Sequence, residues 1–406
     1  MPLFHWLRLG LQIVTNELDL ARERYTVITA AAIEVLLTRI DSLIRFPSLR
    51  QLRNTKMMLF NLILIAVLIV LPLSAVLEAS SSRDAPAKTV TIDGMTVPDI
   101  GPLPTSEQKG STSPIDAAKV ALGKQLYFDG RLSKNGAIAC AFCHNPGTGW
   151  ADPRQTSIGI GGGLGGRQAP TVLNTGFNPL QFWDGRVSSL EEQALQPIQN
   201  PIEMGETHEN VVRKLNGIRG YQRQFRAVFA SDPNLQGIAE AIAAFERTVI
   251  STNSPFDKYA MGDSKAMDKA AVRGMALFKG KARCILCHNG PNFTDNQFYN
   301  LGVPQIGPMK EDLGRYYVTK VEKDKGAFKT PTLRSIAQTA PYMHDGVFKT
   351  LGEVLDFLNT GGGKNPNLSP LMKVLNLTPQ EKADLIAFLK ALTGESIKID
   401  LPKLPE

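Results

Sequence analysis

The sequence reads CAFCHN at positions 140–145 and CILCHN at positions 284–289, and these two stretches contain all four cysteines of the 406-residue chain. Each stretch has the form Cys-x-x-Cys-His. Such cysteine pairs can form disulfides, act as a redox dithiol or as half of a zinc site, or attach a haem. The spacing of the motifs and the histidines that close them discriminate among these chemistries.

The spacing favours haem. The two halves of a zinc site usually lie about 15–20 residues apart, whereas Cys140 and Cys284 are 144 positions apart. Neither a disulfide nor a dithiol requires a histidine directly after both pairs, but a c-type haem takes two thioether bonds from the cysteines and an iron ligand from the histidine. The sequence therefore predicts two covalently bound haem c groups, attached through Cys140, Cys143, Cys284 and Cys287, with His144 and His288 as iron ligands.

The segment 57–77, MMLFNLILIAVLIVLPLSAVL, is free of charge over 21 residues, which is long enough for a helix to span a bilayer. Four Arg or Lys residues lie between 45 and 56, and no acidic residue lies between 42 and 56. This bias places 1–56 in the cytoplasm and the rest in the periplasm, an oxidising compartment. We therefore predict an anchor in the bacterial inner membrane. The alternative is a cleaved signal peptide that starts at Met57 or Met58 and releases the protein into the periplasm.

The charge of the chain argues against a nucleic-acid partner. Its formal net charge is +7, and residues 1–56 supply +3 of this from eight Lys or Arg and five Asp or Glu. No basic run with interleaved aromatic residues occurs. Apolar positions at helical spacing in 17–45 predict one or two amphipathic helices, so 1–56 is expected to be a cytoplasmic amphipathic segment.

Beyond residue 77, the composition and the helix-capping residues of the sequence predict a linker followed by helices. Residues 78–115 are rich in Ser, Pro, Thr and Gly and predict a linker. Helices are predicted at 117–128, 238–250 and 378–394, the last one starting at a capping box of Thr378 and Glu381.

The chain also contains an internal repeat. Gly123 and Tyr127 precede the first cysteine pair, and Gly274 and Phe278 precede the second with the same mutual spacing. We interpret this pattern as a duplicated unit with an insertion between the helix and the cysteines in one copy.

On these motifs the chain resembles the bacterial dihaem cytochrome c peroxidase and MauG superfamily, from about residue 106 to 405. The similar stretches are LGKQLYFDGRLS (122–133), CAFCHNPGTGWAD (140–152), RQAPTVLNTGFNPLQFWDGR (167–186), LEEQALQPIQNPIEM (190–204), RCILCHNG (283–290), FKTPTLRSIAQTAPYMHDG (328–346) and the final helix. The resemblance implies an all-α fold with two cytochrome c-like haem domains in tandem, here preceded by the single transmembrane helix. We expect these domains at 116–252 and 253–392, with the tail 393–406 packing back on the first.

The resemblance also implies an activity. The chain is expected to be a haem peroxidase that reduces or activates hydrogen peroxide at the N-terminal haem and shares oxidising equivalents with the C-terminal haem. Its electrons are expected from a small donor protein, a cytochrome c or a cupredoxin. The alternative is a MauG-like oxidase that uses the high-valent dihaem state to modify a protein substrate. A homodimer is a further expectation.

Three residues match the family's peroxide chemistry. Glu203 matches the distal acid–base, since a carboxylate above the iron can take the first peroxide proton and return it to the leaving oxygen. Gln193 matches a distal amide that orients peroxide or water. Trp183 matches the tryptophan between the haems, where an indole can relay electrons.

The resemblance also implies a calcium ion between the domains. Gln168, Thr339 and Pro341 match the residues that hold it, although the family usually has Asn at the position of Gln168. Two backbone carbonyls and one amide are oxygen ligands of the kind that calcium prefers.

Two positions depart from the family pattern, and both concern iron ligands. Many bacterial peroxidases keep a second histidine on the peroxide haem while inactive; the matching residue here is Ile160, which cannot bind iron. The sixth ligand of the C-terminal haem is usually Met or Tyr; the matching residue is Leu358, which cannot bind iron either. Neighbours that can replace this ligand are Tyr342, Met343, Met309 and Met372. We therefore expect a peroxide haem that needs no reductive activation.

A non-catalytic electron-transfer cytochrome is the rival class, because such a protein has both irons sealed by protein ligands. The chain offers few ligands for this purpose. Besides His144 and His288 it contains only His5, His208 and His344, and His5 precedes the apolar segment. A dihaem oxygenase that acts with O₂ on a hydrophobic substrate is a third class, and no residue selects it.

Overall fold

The computed structural model describes residues 88–103 and 117–406, which belong to one compact unit that covers Ala87–Glu406. This part is mostly helical. Its α-helices are α1 (Ala117–Tyr127), α2 (Cys140–Cys143), α3 (Leu190–Gln199), α4 (His208–Asn216), α5 (Arg219–Phe229), α6 (Leu235–Glu246), α7 (Pro255–Ala260), α8 (Lys269–Lys279), α9 (Tyr316–Thr319), α10 (Leu351–Asn359) and α11 (Pro379–Ala391). Its strands are β1 (Thr89–Ile92), β2 (Met95–Pro98), β3 (Phe298–Tyr299) and β4 (Phe328–Lys329).

The helix ends follow the capping chemistry of the sequence. At α11 the Thr378 side chain accepts from the backbone N–H of Glu381, and the Glu381 side chain accepts from the backbone N–H of Thr378. This reciprocal pair satisfies donors that a helix N-terminus leaves free. The predicted capping box is therefore confirmed. The helix predicted at 238–250 begins earlier, at Leu235, because Asn234 caps it through the backbone N–H of Gly237.

A first hydrophobic core is built where α1 crosses α6. A Cβ atom placed on Gly123 of α1 would lie 1.7 Å from the carbonyl O of Ala241 in α6, so only glycine allows the two helices to approach this closely. Tyr127 fills the adjacent space, with its ring centroid 5.1 Å from that of Phe245. The first cysteine pair borders this core, since Cys140 packs against it.

A second core repeats this arrangement with α8 and α11. A Cβ atom on Gly274 of α8 would lie 2.0 Å from the carbonyl O of Asp384 in α11. Phe278 packs edge-on against Phe388, with ring centroids 5.2 Å apart. The internal repeat seen in the sequence thus corresponds to two equivalent helix crossings, each next to one cysteine pair.

The C-terminal tail returns to the first core. Ile397 and Ile399 pack against the buried residues of that core. At the chain end, the backbone N–H of Gly220 donates to the carbonyl O of Glu406 over 2.8 Å, and Arg131 donates to the carbonyl O of Pro405 over 3.1 Å. The last residues of the chain therefore complete the half that contains the first haem motif.

The segment expected to be a linker contains a β-hairpin. Strands β1 and β2 pair in antiparallel fashion, with Thr89 opposite Pro98 and Ile92 opposite Met95. Val90, Ile92, Val97 and Ile100 pack against the second core. Burial of these apolar side chains holds the segment on the protein, so residues 88–103 are ordered structure rather than free linker.

The expected fold class requires correction. No helix in residues 88–103 and 117–406 is long and apolar enough to cross a bilayer, and the segment predicted to do so, 57–77, lies outside the described residues. The purely all-α description is also too narrow, because two short antiparallel sheets are present. The described part of the chain is mostly helical and contains two equivalent units, each with a helix crossing and a cysteine motif. The predicted fold class was wrong to include a transmembrane helix. The amphipathic segment predicted at 1–56 likewise lies outside the described residues.

Candidate haem sites

The first Cys-x-x-Cys-His motif forms a single helical turn, α2, which places Cys140 and Cys143 on the same face. The Nδ1 atom of His144 lies 2.9 Å from the carbonyl O of Pro170. Because a carbonyl oxygen only accepts, the proton resides on Nδ1, and Nε2 keeps a free electron pair. This is the tautomer in which histidine binds a metal through Nε2.

The second motif has the same chemistry on a 3-10 turn, Cys284–Leu286. Here Nδ1 of His288 lies 3.0 Å from the carbonyl O of Phe293. Burial lowers the pKa of His144 and of His288, so both imidazoles are neutral and available as ligands. The disulfide alternative is not realised, because all four cysteines are free.

A cavity of about 530 Å³ lies beside the second motif. Cys284, Cys287 and His288 line one part of it, and Leu355 and Leu358 of α10 line another. An apolar cavity with two thiols and one neutral imidazole at its wall is what a covalently attached haem requires. The residues present therefore fit haem c.

The two remaining histidines of the described part have other partners. Nε2 of His208 lies 2.9 Å from the carbonyl O of Leu195. His344 stacks on Phe328 with ring centroids 3.6 Å apart, and its Nε2 lies 3.3 Å from the side-chain nitrogen of Gln305. Burial lowers the pKa of His344 to about 4, so this ring is neutral and accepts from the Gln305 amide. Neither histidine is therefore placed as a second iron ligand, and the structure does not support a cytochrome in which histidines bind both faces of both irons.

Glu203 lies in a second cavity, of about 380 Å³, which it shares with Arg186, Gln196, Pro197, Gln199 and Asn200. Asn200 donates from Nδ2 to Oε1 of Glu203 over 2.8 Å and so orients the carboxyl group. Burial raises the pKa of Glu203, against the opposing effects of the Arg186 charge and of the Asn200 hydrogen bond. A carboxyl group with a raised pKa, held at the wall of a cavity, is suited to exchange protons with a molecule bound there.

The loop around Ile160 connects Glu203 with the first haem motif. The backbone N–H of Ile160 donates to the carbonyl O of Glu203 over 2.9 Å. A Cβ atom on Gly159 would lie 1.8 Å from the carbonyl O of Ile202, so the loop lies directly on the Glu203 turn. At the motif itself, burial and then the charges of Asp152 and Glu203 raise the pKa of the Cys143 thiol. Glu203 is therefore close enough to the first motif to act on it electrostatically.

Gln193, the amide predicted to act together with Glu203, does not line the cavity of Glu203. It lies one turn earlier in α3 with a half-buried side chain, whereas Gln196 lines the cavity and accepts from Nε of Arg186 over 2.8 Å. Arg186, Gln196 and Asn200 are polar residues of this cavity that were not predicted from the sequence. All three lie in stretches that resemble the family, Arg186 in 167–186 and Gln196 and Asn200 in 190–204, and Asn200 precedes Glu203 by only three positions.

Trp183 connects the two halves. Its indole Nε1 donates to the carbonyl O of Gln168 over 2.9 Å, and its own carbonyl O accepts from the backbone N–H of Lys329 over 2.8 Å. The side chain also lines the cavity that contains His288. The predicted position of Trp183 between the two motifs is compatible with these contacts, and its role in electron relay stays a prediction.

The three residues predicted to hold calcium lie around one cavity. Gln168, Thr339 and Pro341 all line the cavity beside His288. The Gln168 amide nitrogen donates to the carbonyl O of Asp152 over 3.1 Å, and this contact orients the amide. No cluster of three or more His, Cys, Asp or Glu side chains suited to a metal occurs in the described part, so calcium stays a prediction.

Leu358 of α10 lines the cavity opposite the second motif, as do Tyr342, Met343 and Met372. Tyr342 is already engaged, since its hydroxyl donates to the carbonyl O of Ile336 over 3.1 Å. Met309 lies elsewhere, beside Gly166, where a Cβ atom would come within 2.6 Å of its sulfur. Met343 and Met372 are the thioethers that remain at this cavity.

Comparison with known proteins agrees with the two motifs. The family model for di-haem cytochrome c peroxidase, of the CCP and MauG group, matches residues 117–265. Cytochrome-c peroxidase IdrP1 of Pseudomonas sp. strain SCT is 41% identical over 339 residues, which cover 76% of this chain and 89% of that protein. Methylamine utilization protein MauG of Methylorubrum extorquens is 42% identical over 306 residues, which cover 74% of this chain and 86% of that protein.

The fold is also shared with solved structures. The crystal structure of a MauG-like protein associated with microbial copper homeostasis matches with a TM-score of 0.65 and 33% sequence identity. The match covers 74% of this chain and 94% of that one. Sequence and fold therefore point to the same group of proteins.

Proposed function

Because the chain belongs to the di-haem cytochrome c peroxidase and MauG family, a group of haem oxidoreductases with two c-type haems, we propose that it is a peroxidase with Glu203 as its acid–base residue. Haem supplies an iron centre that accepts oxidising equivalents from hydrogen peroxide. The first motif holds one haem through Cys140, Cys143 and His144. The second holds the other through Cys284, Cys287 and His288.

The cavity that contains Glu203 supports this proposal most directly. Its carboxyl group is held by Asn200, lies close to the first motif and has a pKa raised by burial. In the ionised form the carboxylate accepts a proton from one peroxide oxygen. In the protonated form it returns that proton to the other oxygen, which leaves as water when the O–O bond breaks. Over a full turnover, one peroxide takes up two electrons and two protons and yields two waters.

The electrons for this reaction come from outside the first half of the chain. We propose that a small redox protein, a cytochrome c or a cupredoxin, reduces the C-terminal haem. Trp183 then lies on the route between the halves, because its indole contacts Gln168 and its carbonyl contacts Lys329. The protein is proposed to work in the periplasm, where such carriers and peroxide meet.

The role of Glu203 is tested by Glu203→Gln, which keeps the shape and removes the titrating group. We expect the rate of the peroxide reaction to fall roughly 10²- to 10⁴-fold. Since Glu203 must be ionised to accept a proton, the wild-type rate should rise with pH, with a midpoint above the usual range of glutamate because its pKa is raised. Stopped-flow absorbance with hydrogen peroxide at several pH values measures both effects.

The matched control is Glu209→Gln, at an exposed glutamate in the first turn of α4. This variant should keep the wild-type rate and pH profile. If the rate in Glu203→Gln is unchanged, or if it still rises with pH as in the wild type, Glu203 does not transfer the proton.

A MauG-like oxidation of a partner protein is the second candidate, and Ile160 favours it. An isoleucine beside the Glu203 turn offers no nitrogen to the iron, so the haem is open without a prior electron. The two functions differ in where the electrons come from. Rapid peroxide consumption with an excess of reduced cytochrome c supports the peroxidase, whereas consumption that depends on a protein whose own residues become oxidised supports the alternative.

A further inference from the structure

Lys329 is a buried cation at the wall of the cavity beside the second haem motif. It is the last residue of β4, is only 8% exposed, and lines the cavity together with Trp183 and His288. Its backbone N–H donates to the carbonyl O of Trp183 over 2.8 Å, which fixes the main chain where the two halves meet. The side chain therefore belongs to the haem cavity rather than to the surface.

The ammonium group of Lys329 has no anionic protein partner. Within residues 88–103 and 117–406, no carboxylate forms an ion pair with its Nζ atom and no acceptor receives a hydrogen bond from it. The Asp295 carboxylate acts on it only through its field. Both oxygens of Asp295 are engaged elsewhere, since Oδ1 accepts from the backbone N–H of Gln297 over 2.9 Å and Oδ2 from the hydroxyl of Tyr299 over 2.8 Å.

The other basic side chains at this cavity are already neutralised or hydrated. Arg283 pairs with Asp93, which neutralises its charge, although its Nε atom is buried without a hydrogen-bond partner. Lys325 pairs with Glu322, with 2.7 Å between Nζ and Oε1. Lys373 is exposed to solvent. Among the lysines and arginines that line the cavity, Lys329 is thus the buried one that forms no ion pair in the described part of the chain.

A buried charge without a partner is strongly destabilised by the loss of its hydration, so an ammonium group in this position requires an anion. Burial lowers the pKa of Lys329 only to about 8, which leaves most of the lysine protonated at neutral pH. A haem carries two propionate carboxylates at its edge, and these anions enter the cavity with it. We propose that Lys329 is the counter-ion of a propionate of the C-terminal haem and that it sets the reduction potential of that haem.

The direction of the effect follows from electrostatics. A positive charge beside a haem stabilises the reduced iron, which carries one positive charge fewer, and neutralises a propionate that would favour the oxidised iron. Lys329 therefore raises the potential of the C-terminal haem. Leu358 stands where the family usually has an iron ligand on that haem. Without that ligand, the charges around the haem contribute more to its reduction potential. The inference rests on the C-terminal haem of the proposed function but not on Glu203.

The test is a spectroelectrochemical titration of the holoprotein in wild-type form and as Lys329→Met and Lys329→Gln. Both variants should shift one of the two haem transitions toward lower potential. The expected change is about tenfold or more in the one-electron equilibrium constant, which corresponds to about 59 mV per factor of ten. Lys329→Arg keeps the charge and should stay near the wild-type value. Leu358→Met identifies the transition of the C-terminal haem, because a thioether ligand at that position raises the potential of that haem alone.

Lys325→Met is the matched control, since it removes a cation at the same cavity that already has a carboxylate partner; neither transition should move. Unchanged potentials in Lys329→Met and Lys329→Gln, or equal shifts in Lys325→Met, would overturn the proposal. If Lys329→Met attaches no C-terminal haem, the titration of Lys329→Gln alone decides the outcome. Peroxide turnover is measured separately through Glu203→Gln, so a failure of the propionate contact is distinct from a failure of the peroxidase function.

Discussion

Ile160 lies at the position where the family resemblance predicts a histidine ligand of the first haem. Its backbone N–H holds the carbonyl O of Glu203, and its side chain lies beside Gly205, where a Cβ atom would come within 3.0 Å of it. An aliphatic side chain cannot bind iron. The loop thus supports the Glu203 turn and offers no iron ligand at this position.

Replacement of Ile160 by His should restore a ligand that blocks the iron. We expect the wild-type protein, fully oxidised as purified, to react with one equivalent of hydrogen peroxide within the first seconds, and Ile160→His to react only after one electron per molecule is added. Stopped-flow absorbance of the haem bands measures this difference. Ile160→Val is the control and should behave as wild type. A wild-type protein that is itself silent until reduced would contradict the prediction.

The sequence was informative for residues whose chemistry is local. The Cys-x-x-Cys-His spacing predicted haem attachment, and both histidines indeed place Nδ1 within hydrogen-bond distance of a backbone carbonyl. It was not informative for Arg186, which comes to Glu203 from a different segment, or for Lys329, whose burial depends on the packing of Trp183 and β3. Both residues lie in stretches that resemble the family, at 167–186 and 328–346, but the resemblance gave neither of them a role, because only the folded chain shows which cavity each one lines.

The repeat of glycine and aromatic residues before each cysteine pair predicts a contact between helices. It corresponds to the contact of α1 with α6 and of α8 with α11.

The hairpin of β1 and β2 was not predicted, although the sequence contains its signal. Val90 and Ile92 face one side by alternation, and the Asp93–Gly94 turn has φ values of 50° and 76°, which the residue pair Asp-Gly tolerates well. Its flanking Ser, Pro and Thr residues masked this pattern.

The crossing of α8 and α11 predicts the effect of Gly274→Ala. The new methyl group would lie 2.0 Å from the carbonyl O of Asp384 and 2.9 Å from Cβ of Phe388, so the helices must separate. We expect the free energy of unfolding to fall by about 1–3 kcal/mol, despite the better helix propensity of alanine. Urea denaturation followed by circular dichroism measures this loss.

Gly352→Ala is the matched control for this substitution. Gly352 lies in α10, and a Cβ atom there meets only the side-chain oxygen of Thr350 at 3.6 Å, an ordinary contact. The control should leave stability unchanged or raise it by up to about 1 kcal/mol. Equal effects of the two substitutions would show that the close helix contact does not limit stability.

At the scale of the whole molecule, Arg167 joins the two halves. Its guanidinium group donates to both carboxylate oxygens of Asp312 over 2.6 and 2.8 Å and to Asp184 over 2.8 Å. All three side chains are largely buried, at 15%, 3% and 7% exposure. The Arg167 guanidinium, acting against the burial of the carboxyl, lowers the pKa of Asp312. The network keeps the segment with Trp183 in register with the C-terminal half.

Arg167→Met should therefore destabilise the protein by about 3–5 kcal/mol, because it leaves the buried carboxylate of Asp312 without its cation. Asp184 loses one of its two arginine partners and keeps Arg186. Thermal and urea unfolding, monitored at the haem bands and by circular dichroism, measures the change. Arg226→Met breaks the exposed pair with Asp232 and should have no measurable effect. A wild-type unfolding curve for Arg167→Met would exclude a structural role for the network.

The return of residues 397–406 to the first core has a consequence for how the protein is made. During synthesis the first half leaves the ribosome long before Ile397, Ile399 and the backbone partner of Gly220 exist. The half that comes first in the sequence is thus completed last, while the second core has all its own helices available earlier. The first half is completed only once residues 397–406 have been made, and a ribosome that stops before them leaves a polypeptide whose opening half is the unfinished one.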